Sequence, residues 1–238
     1  MPDISDLRAE LTKACRILYA TGAVGDGLNG HLSALLDEER ILIKPRPISW
    51  RGLQPDDLIV IGLDGVRVGH PGQANDVREW PIHARIYAAR PEVHCVLHAH
   101  PVASTLMSAL GIRIEPLDQD CASLTDRMPI LDNGAVSIAT PALGDEVAAS
   151  LGQADVLLLK HHGSVVVGAG IAEVCVAAHK LEKVANTMLR ALALAAPPLV
   201  SEANRAAILA ARQGVESRGM IQERWRMLQD YYLGRVDG

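Results

Sequence analysis

The chain has no phenylalanine, and three tryptophans and four tyrosines bring its aromatic share to only 3%. A core must therefore be packed from Ala, Val, Leu and Ile, and stacking platforms for unpaired bases are scarce. An excess of basic residues is missing too. With a net charge of −5, no broad cationic face is expected for a phosphate backbone. Cysteine is sparse: Cys15, Cys95, Cys121 and Cys175 are widely spaced and form no CxxC pair, which argues against a zinc ribbon or a dithiol redox motif. No apolar run nears the roughly 18 residues of a membrane span. The opening MPDISDLRAELTKACRIL lacks the charged-then-apolar pattern of a signal peptide. The expectation is a cytoplasmic protein with reduced thiols that binds neither nucleic acid nor membrane.

What is present suits a folded, globular chain rather than a disordered one. Hydrophobic residues make up 49% and charged residues 21%, enough for a large core. No linker is visible, so residues 1–238 are expected to form one domain with a helical C-terminal extension from about 201. Ser5 is placed to cap an amphipathic helix ending near Gly22. The glycine-rich segment GAVGDGLNGHLSALL follows, then a strand at Arg40–Lys44. Pro45-Arg46-Pro47 stops that strand with a stiff turn that fixes the backbone of Arg46. Leu58–Leu63 reads as a strand, with a hairpin turn at Asp64-Gly65.

After the loop HPGQAND, Asp76 is placed to cap a helix from about Val77, which Arg90-Pro91 ends. His94–His100 reads as a strand and Val102–Leu110 as a helix. A weakly patterned polar stretch then carries Asp118, Asp120, Asp126 and Arg127. Further on, Val136–Ala139 reads as a strand, Gly144–Leu151 as a helix, and Asp155–Lys160 and Val165–Val167 as strands. Ile171–Leu194 forms a long helix that Pro197-Pro198 breaks, and a last helical region spans Ser201–Leu233, with Tyr231 and Tyr232 read as packing residues. The short alternating strands favour antiparallel pairing.

One stretch carries candidate chemistry. In EWPIHARIYAARPEVHCVLHAHP, a helix that begins beside Glu79 leads into an apolar strand ending His98-Ala99-His100. Side chains two apart on a strand share a face, so these two rings can converge. Two imidazoles beside a carboxylate begin a metal site but do not complete one. For Glu79 alone, favourable charge at a helix N-terminus is the plainer explanation. A third imidazole is best sought at the end of the other apolar strand, where His161-His162-Gly163 stand. Adjacent strand residues point to opposite faces, so one of that pair ligates and the other does not. Three nitrogens from two strand ends would hold a divalent cation with a position left for substrate.

The ordered set Glu79, His98-Ala99-His100-Pro101 and His162-Gly163 resembles the class II aldolase/adducin family, typified by L-fuculose-phosphate aldolase. LIVIGLDG, PEVHCVLHAHP, LLLKHHGSVVVG and AHKLEKVA support the likeness over roughly Leu7 to Leu194. The resemblance implies a three-layer αβα fold with a mainly antiparallel central sheet, in a homotetramer with sites near subunit interfaces. It implies His98, His100 and His162 as ligands of a divalent metal, Zn²⁺ or Mn²⁺, and Glu79 as acid/base. His83, His94, His161 and His179 are left with structural roles, His94 as a core or interface residue.

The departures from the sugar-phosphate aldolases bear on substrate. Where those enzymes carry small hydroxyl and glycine residues that cradle phosphate, this chain has Asn29-Gly30-His31, Arg46-Pro47 and Val77-Arg78. A backbone phosphate nest is hard to keep with proline at one corner. Arg46 and Arg78, with Asn29, suit a planar carboxylate instead. The sequence is more similar to family members that decarboxylate hydroxylated aromatic dicarboxylates such as hydroxypyridine dicarboxylate or dihydroxyphthalate, including its GHLS segment. Glu79 or His31 would deliver the proton that replaces CO₂. The alternatives are an aldolase acting on a sugar phosphate or hydroxy-keto acid, and a non-enzymatic adducin-like interaction module.

Overall fold

The computed structural model describes residues 3–69, 76–115, 117, 128–195, 200–212 and 218–234. Cys121, the polar stretch carrying Asp118, Asp120, Asp126 and Arg127, most of the HPGQAND loop and Pro197-Pro198 lie outside the described residues. Among the described residues, seven strands form one sheet: β1 (His31–Leu35), β2 (Arg40–Ile43), β3 (Ile59–Gly62), β4 (Cys95–Ala99), β5 (Ile130–Leu131), β6 (Val156–Leu159) and β7 (Gly163–Gly168). Their order is β3-β2-β1-β4-β7-β6-β5, and every ladder is antiparallel except β5 with β6.

Strand alternation sorts the side chains to two faces. On one, Leu32, Leu42, Leu97 and Val166 pack with the helices α1 (Ile4–Ala20), α3 (Val102–Ala109) and α5 (Ile171–Leu194), through Leu11, Leu18, Met107, Val174 and Leu181. On the other, Ile41, Ile61, Val96 and Val165 meet α2 (Trp80–Ala89) and α4 (Pro141–Leu151), through Ile82, Ile86 and Val147. The result is a three-layer αβα fold. Without phenylalanine the layers close on aliphatic side chains, each contributing about 1.5–3 kcal/mol on full burial before entropy is charged. Among the described residues the C-terminal region is helical, in α6 (Glu202–Arg212) and α7 (Arg218–Leu233). Trp225 and Tyr232 of α7 join the α5-side core, whereas Tyr231 is exposed. Among the described residues, no helix is long and apolar enough to cross a membrane.

Four local expectations are corrected. Asp3, not Ser5, caps α1: its carboxylate accepts from the Ser5 N–H. Asp76 does not cap α2, because its backbone is left-handed (φ 54°) and its carboxylate faces Arg67 at 3.7 Å. The helix starts at Trp80, with Glu79 as N-cap and the fixed φ of Pro81 in its first turn. Val136–Ala139 is not a strand. Positive φ at Gly134 and Ala135 breaks the extended run, and the Ile138 N–H is spent on Glu79 instead of a ladder. His94 stands exposed just before β4 and is no core residue.

This topology gathers the chemistry at one sheet end. β4 and β6 finish there, and β1 and β7 begin there, so the chain around residues 31, 98–100 and 159–163 is drawn together.

Candidate metal centre

His98, the penultimate residue of β4, is fully buried, and its Cα pairs with His31 on one side and Val165 on the other. Its Nδ1 lies 3.1 Å from the carbonyl of Ser164, a contact that would leave Nε2 as the lone-pair nitrogen when a cation is bound. His100 falls one residue past β4, with Nε2 3.2 Å from His98 Nε2. His162 follows His161, whose left-handed backbone (φ 60°) turns the chain from β6 into β7. The His98, His100 and His162 rings stand 4.9–5.0 Å apart by centroid, each pair edge to face. Gly163 makes this fit possible: a Cβ there would run into the Ala99 carbonyl and the His100 ring.

Glu79 closes the fourth side. Although it is the N-cap of α2, its side chain makes no cap bond and is turned toward the histidines. Oε2 is 3.1 Å from His98 Nε2 and Oε1 is 3.4 Å from His162 Nε2. Oε1 also accepts from Ser137 Oγ (3.0 Å) and the Ile138 N–H (2.9 Å). Burial opposes charging Glu79, yet the bonds to His162 and His98 outweigh it and hold the carboxyl well below the usual carboxylate range. His100 is pushed down to about 4, by burial and then by the neighbouring imidazoles His98 and His162.

One ligand atom from each of Glu79, His98, His100 and His162 lies within 4.8 Å of the others. Acceptors aimed at a common point are the arrangement that a cation satisfies. Two imidazole nitrogens on one divalent ion, each about 2.0–2.1 Å from it, stand about 3.0–3.4 Å apart. The 3.2 Å between His98 and His100 agrees with that spacing. The four side chains therefore fit a divalent metal. His161 is exposed and takes no part.

Beside the cluster, His31 is buried; its Nδ1 is 2.9 Å from the Lys44 carbonyl. Burial lowers it to about 3, offset in part by that hydrogen bond, so His31 is neutral near pH 7. The loop before it is pinned by Trp50, whose Nε1–H donates to the Asn29 carbonyl at 2.7 Å. Lys44 is itself fully buried, donating to the Pro45 carbonyl at 3.0 Å and lying 5.2 Å from the Trp50 ring centroid. Burial brings its ammonium down to about 8. Behind His31, Ser33 Oγ bonds both His83 Nδ1 and the Tyr87 hydroxyl at 2.8 Å, which gives His83 a structural place.

The substrate candidates are placed differently. Asn29, Arg46 and Arg78 are all exposed, on three separate loops. The Arg46 N–H donates to the Asp76 carbonyl at 2.9 Å, which joins the proline turn to the segment that carries Arg78.

Sequence reading missed Ser33, Ser137, Ile138 and Ser164. Ser164 directly follows the His-His-Gly motif and Ser33 shares strand phase with His31, so both could have been found; nothing in the pattern flags Ser137 or Ile138.

A sheet of this order with histidines at its strand ends defines a class. The family described as Class II Aldolase and Adducin N-terminal domain matches residues 9–189, and the chain belongs to that family. Among its relatives, the chain is 31% identical over 193 residues to a 3,4-dihydroxyphthalate decarboxylase of Terrabacter sp. (strain DBF63), covering 77% of this chain and 80% of that protein. It is 27% identical over 205 residues to a 5-methylthioribulose-1-phosphate/5-deoxyribulose-1-phosphate aldolase of Escherichia coli O45:K1 (strain S88 / ExPEC), covering 85% and 93%. In fold it matches an aldolase II superfamily protein from Pseudomonas syringae with a TM-score of 0.86 at 21% identity, over 98% of this chain and 94% of that one. L-fuculose 1-phosphate aldolase from Glaciozyma antarctica PI12 matches at 0.77 and 21%, over 99% and 96%. Lyase activity is common to the named enzymes among these relatives, and this chain is assigned to that general class.

Proposed function

We propose that this protein is a metal-dependent decarboxylase of a hydroxylated aromatic or heteroaromatic carboxylate, with His98, His100 and His162 as the metal ligands. The observation that carries the reading is the convergence of three imidazoles and one ionised, buried carboxylate on a single point. When bound there, a divalent cation, Zn²⁺ or Mn²⁺, supplies an electron sink for the pair left on carbon as CO₂ departs. Glu79 is the proton carrier. It is ionised at rest, takes the proton of the substrate hydroxyl, and returns it to the carbon that has lost CO₂. His31 is the weaker candidate for this step, because it is neutral and its Nδ1 proton is committed to Lys44. Its place beside His98 suits contact with the substrate instead.

Arg46, Arg78 and Asn29 are assigned to substrate binding, the two guanidiniums taking a carboxylate that a backbone phosphate nest would not. Similarity to the dihydroxyphthalate decarboxylase supports this branch. The aldolase reading stays second, because similarity to a sugar-phosphate aldolase covers more of the chain at lower identity. Residues 1–238 are taken as one domain, α6 and α7 being its extension. The assembly is taken to be a homotetramer, with exposed Val102 and Leu106 of α3 and Leu110 at its C-cap as one contact face. The cytoplasm is its expected location, in keeping with the buried, unpaired thiols of Cys15, Cys95 and Cys175 among the described residues.

The test is product analysis on metal-loaded protein. Release of one CO₂ per ortho-hydroxylated aromatic dicarboxylate consumed is expected. Cleavage of a phosphorylated ketose without CO₂ would overturn decarboxylation in favour of aldol chemistry. A chain that binds no metal would sink both and leave the interaction module.

A further inference from the structure

His98 is held by a ladder on both sides, but His100 is not. It lies past the end of β4, and the turn into α3 sets its direction. That turn has an unusual anchor. The N-cap of α3 is Pro101, which provides no side-chain cap, and the first N–H groups of the helix need acceptors. They find them on Glu182 of α5, some eighty residues away. Its Oε1 accepts from the Ala103 N–H at 2.7 Å, and its Oε2 from the Ser104 N–H and the Ser104 hydroxyl, both at 3.1 Å.

The geometry of these three bonds is that of a brace. Glu182 sits between Leu181 and Val184, both buried in the core, so the carboxylate is carried by a fixed helix. Hydrogen bonds from N–H groups to an ionised carboxylate at a helix N-terminus are strengthened by charge and by the helix dipole. Gly25 also brings its backbone against the His100 carbonyl; a Cβ there would collide with that oxygen. A local Ser, Thr or Asp at the cap would have satisfied the same N–H groups. A carboxylate from another helix does more: it ties the residues directly after His100 to the core.

We propose that Glu182 is a positioning residue for the metal centre, fixing through the first turn of α3 where the His100 imidazole points. This accounts for the glutamate in AHKLEKVA, which neither the ligand set nor the proton carrier explains. It rests on the metal-centre reading above.

Divalent-metal affinity of the full chain, measured by competition with a chromogenic chelator at a temperature where each variant is folded by circular dichroism, tests it. Glu182→Ala is expected to weaken binding about 10- to 100-fold, the usual cost of losing a group that orients a ligand. Glu182→Gln keeps one acceptor but sets an NH₂ against a remaining N–H donor, so an intermediate loss of about 3- to 10-fold is expected. A merely structural cap would lower the melting temperature and leave the affinity of folded protein alone. Parental affinity in folded Glu182→Ala therefore overturns the proposal. If that variant does not fold, parental affinity in Glu182→Gln does so. A parent chain that binds no metal overturns the metal centre itself, which is a different failure.

Discussion

The two sides of the candidate site are built in opposite ways. The metal side is buried and cross-braced: His98 hangs between two strands, Glu79 is gripped by Ser137 and Ile138, and Gly163 closes against His100. The side proposed to take the substrate is exposed, with Asn29, Arg46 and Arg78 on separate loops. Chemistry shared across a family belongs on rigid strand ends, while selection of a substrate can be left to loops that change without disturbing the sheet. The consequence is that damage to one side should stop the reaction, and damage to the other should only change what enters.

The largest effect is expected on the buried side. His98→Ala should lower metal affinity at least about 100-fold and remove turnover with it, since one ligand and the pivot of the cluster vanish together. Chelator competition reads this, and near-parental affinity would break the comparison at its root. Next, Glu79→Gln should lower kcat by about 10²- to 10⁴-fold, the range for losing a general acid/base, with metal retained. Loss of metal in proportion to activity would instead make Glu79 chiefly a ligand.

On the exposed side the effect should fall on binding. Arg46→Ala should raise KM for a dicarboxylate about tenfold or more with kcat nearly unchanged. An unchanged KM removes Arg46 from the site.

Acid sensitivity should follow the buried side as well. His31 and His100 are lowered to about 3 and about 4, so the unfolded chain, with histidines near 6.5, binds protons that the folded one refuses. Stability of the metal-free protein should therefore be fullest above about pH 6.5 and fall as pH drops through the range from about 6.5 to about 3. The depressed Glu79 carboxyl works in the same direction, below the normal carboxylate range. Melting temperatures across that range measure it, and a flat profile would mean the histidines are not buried as described. The smallest effect concerns the turn between β6 and β7. His161→Gly should be close to neutral, whereas His161→Val should cost about 1–2 kcal/mol by forcing a β-branched residue into a left-handed backbone.

The sequence made the buried side legible and the rest less so, for physical reasons. A His-Ala-His run closing an apolar segment suggests two rings on one face even though β4 itself ends at Ala99, and an apolar strand running into His161-His162-Gly163 is a local pattern that survives without knowledge of the fold. The long helix Ile171–Leu194 was readable because its periodicity runs over many turns. Contacts made across the sheet left no such trace. Ser137 and Ile138 reach Glu79 from nearly sixty residues away, and Glu182 reaches Ala103 across seventy-nine. The misreadings at Asp76 and Val136–Ala139 share a cause: each segment gives up its local preference to serve a distant partner, Asp76 facing Arg67 and Ile138 serving Glu79. Exposed Arg46 and Arg78 carry no packing pattern at all, so only their chemistry marked them.

His98, His100 and His162 are expected to hold one divalent cation beside Glu79, and anomalous diffraction from crystals grown with Mn²⁺ or Zn²⁺ reads this without an activity assay. A single strong peak per chain about 2.0–2.2 Å from nitrogens of all three histidines is the result expected; no peak, or a peak held by other residues, would contradict it.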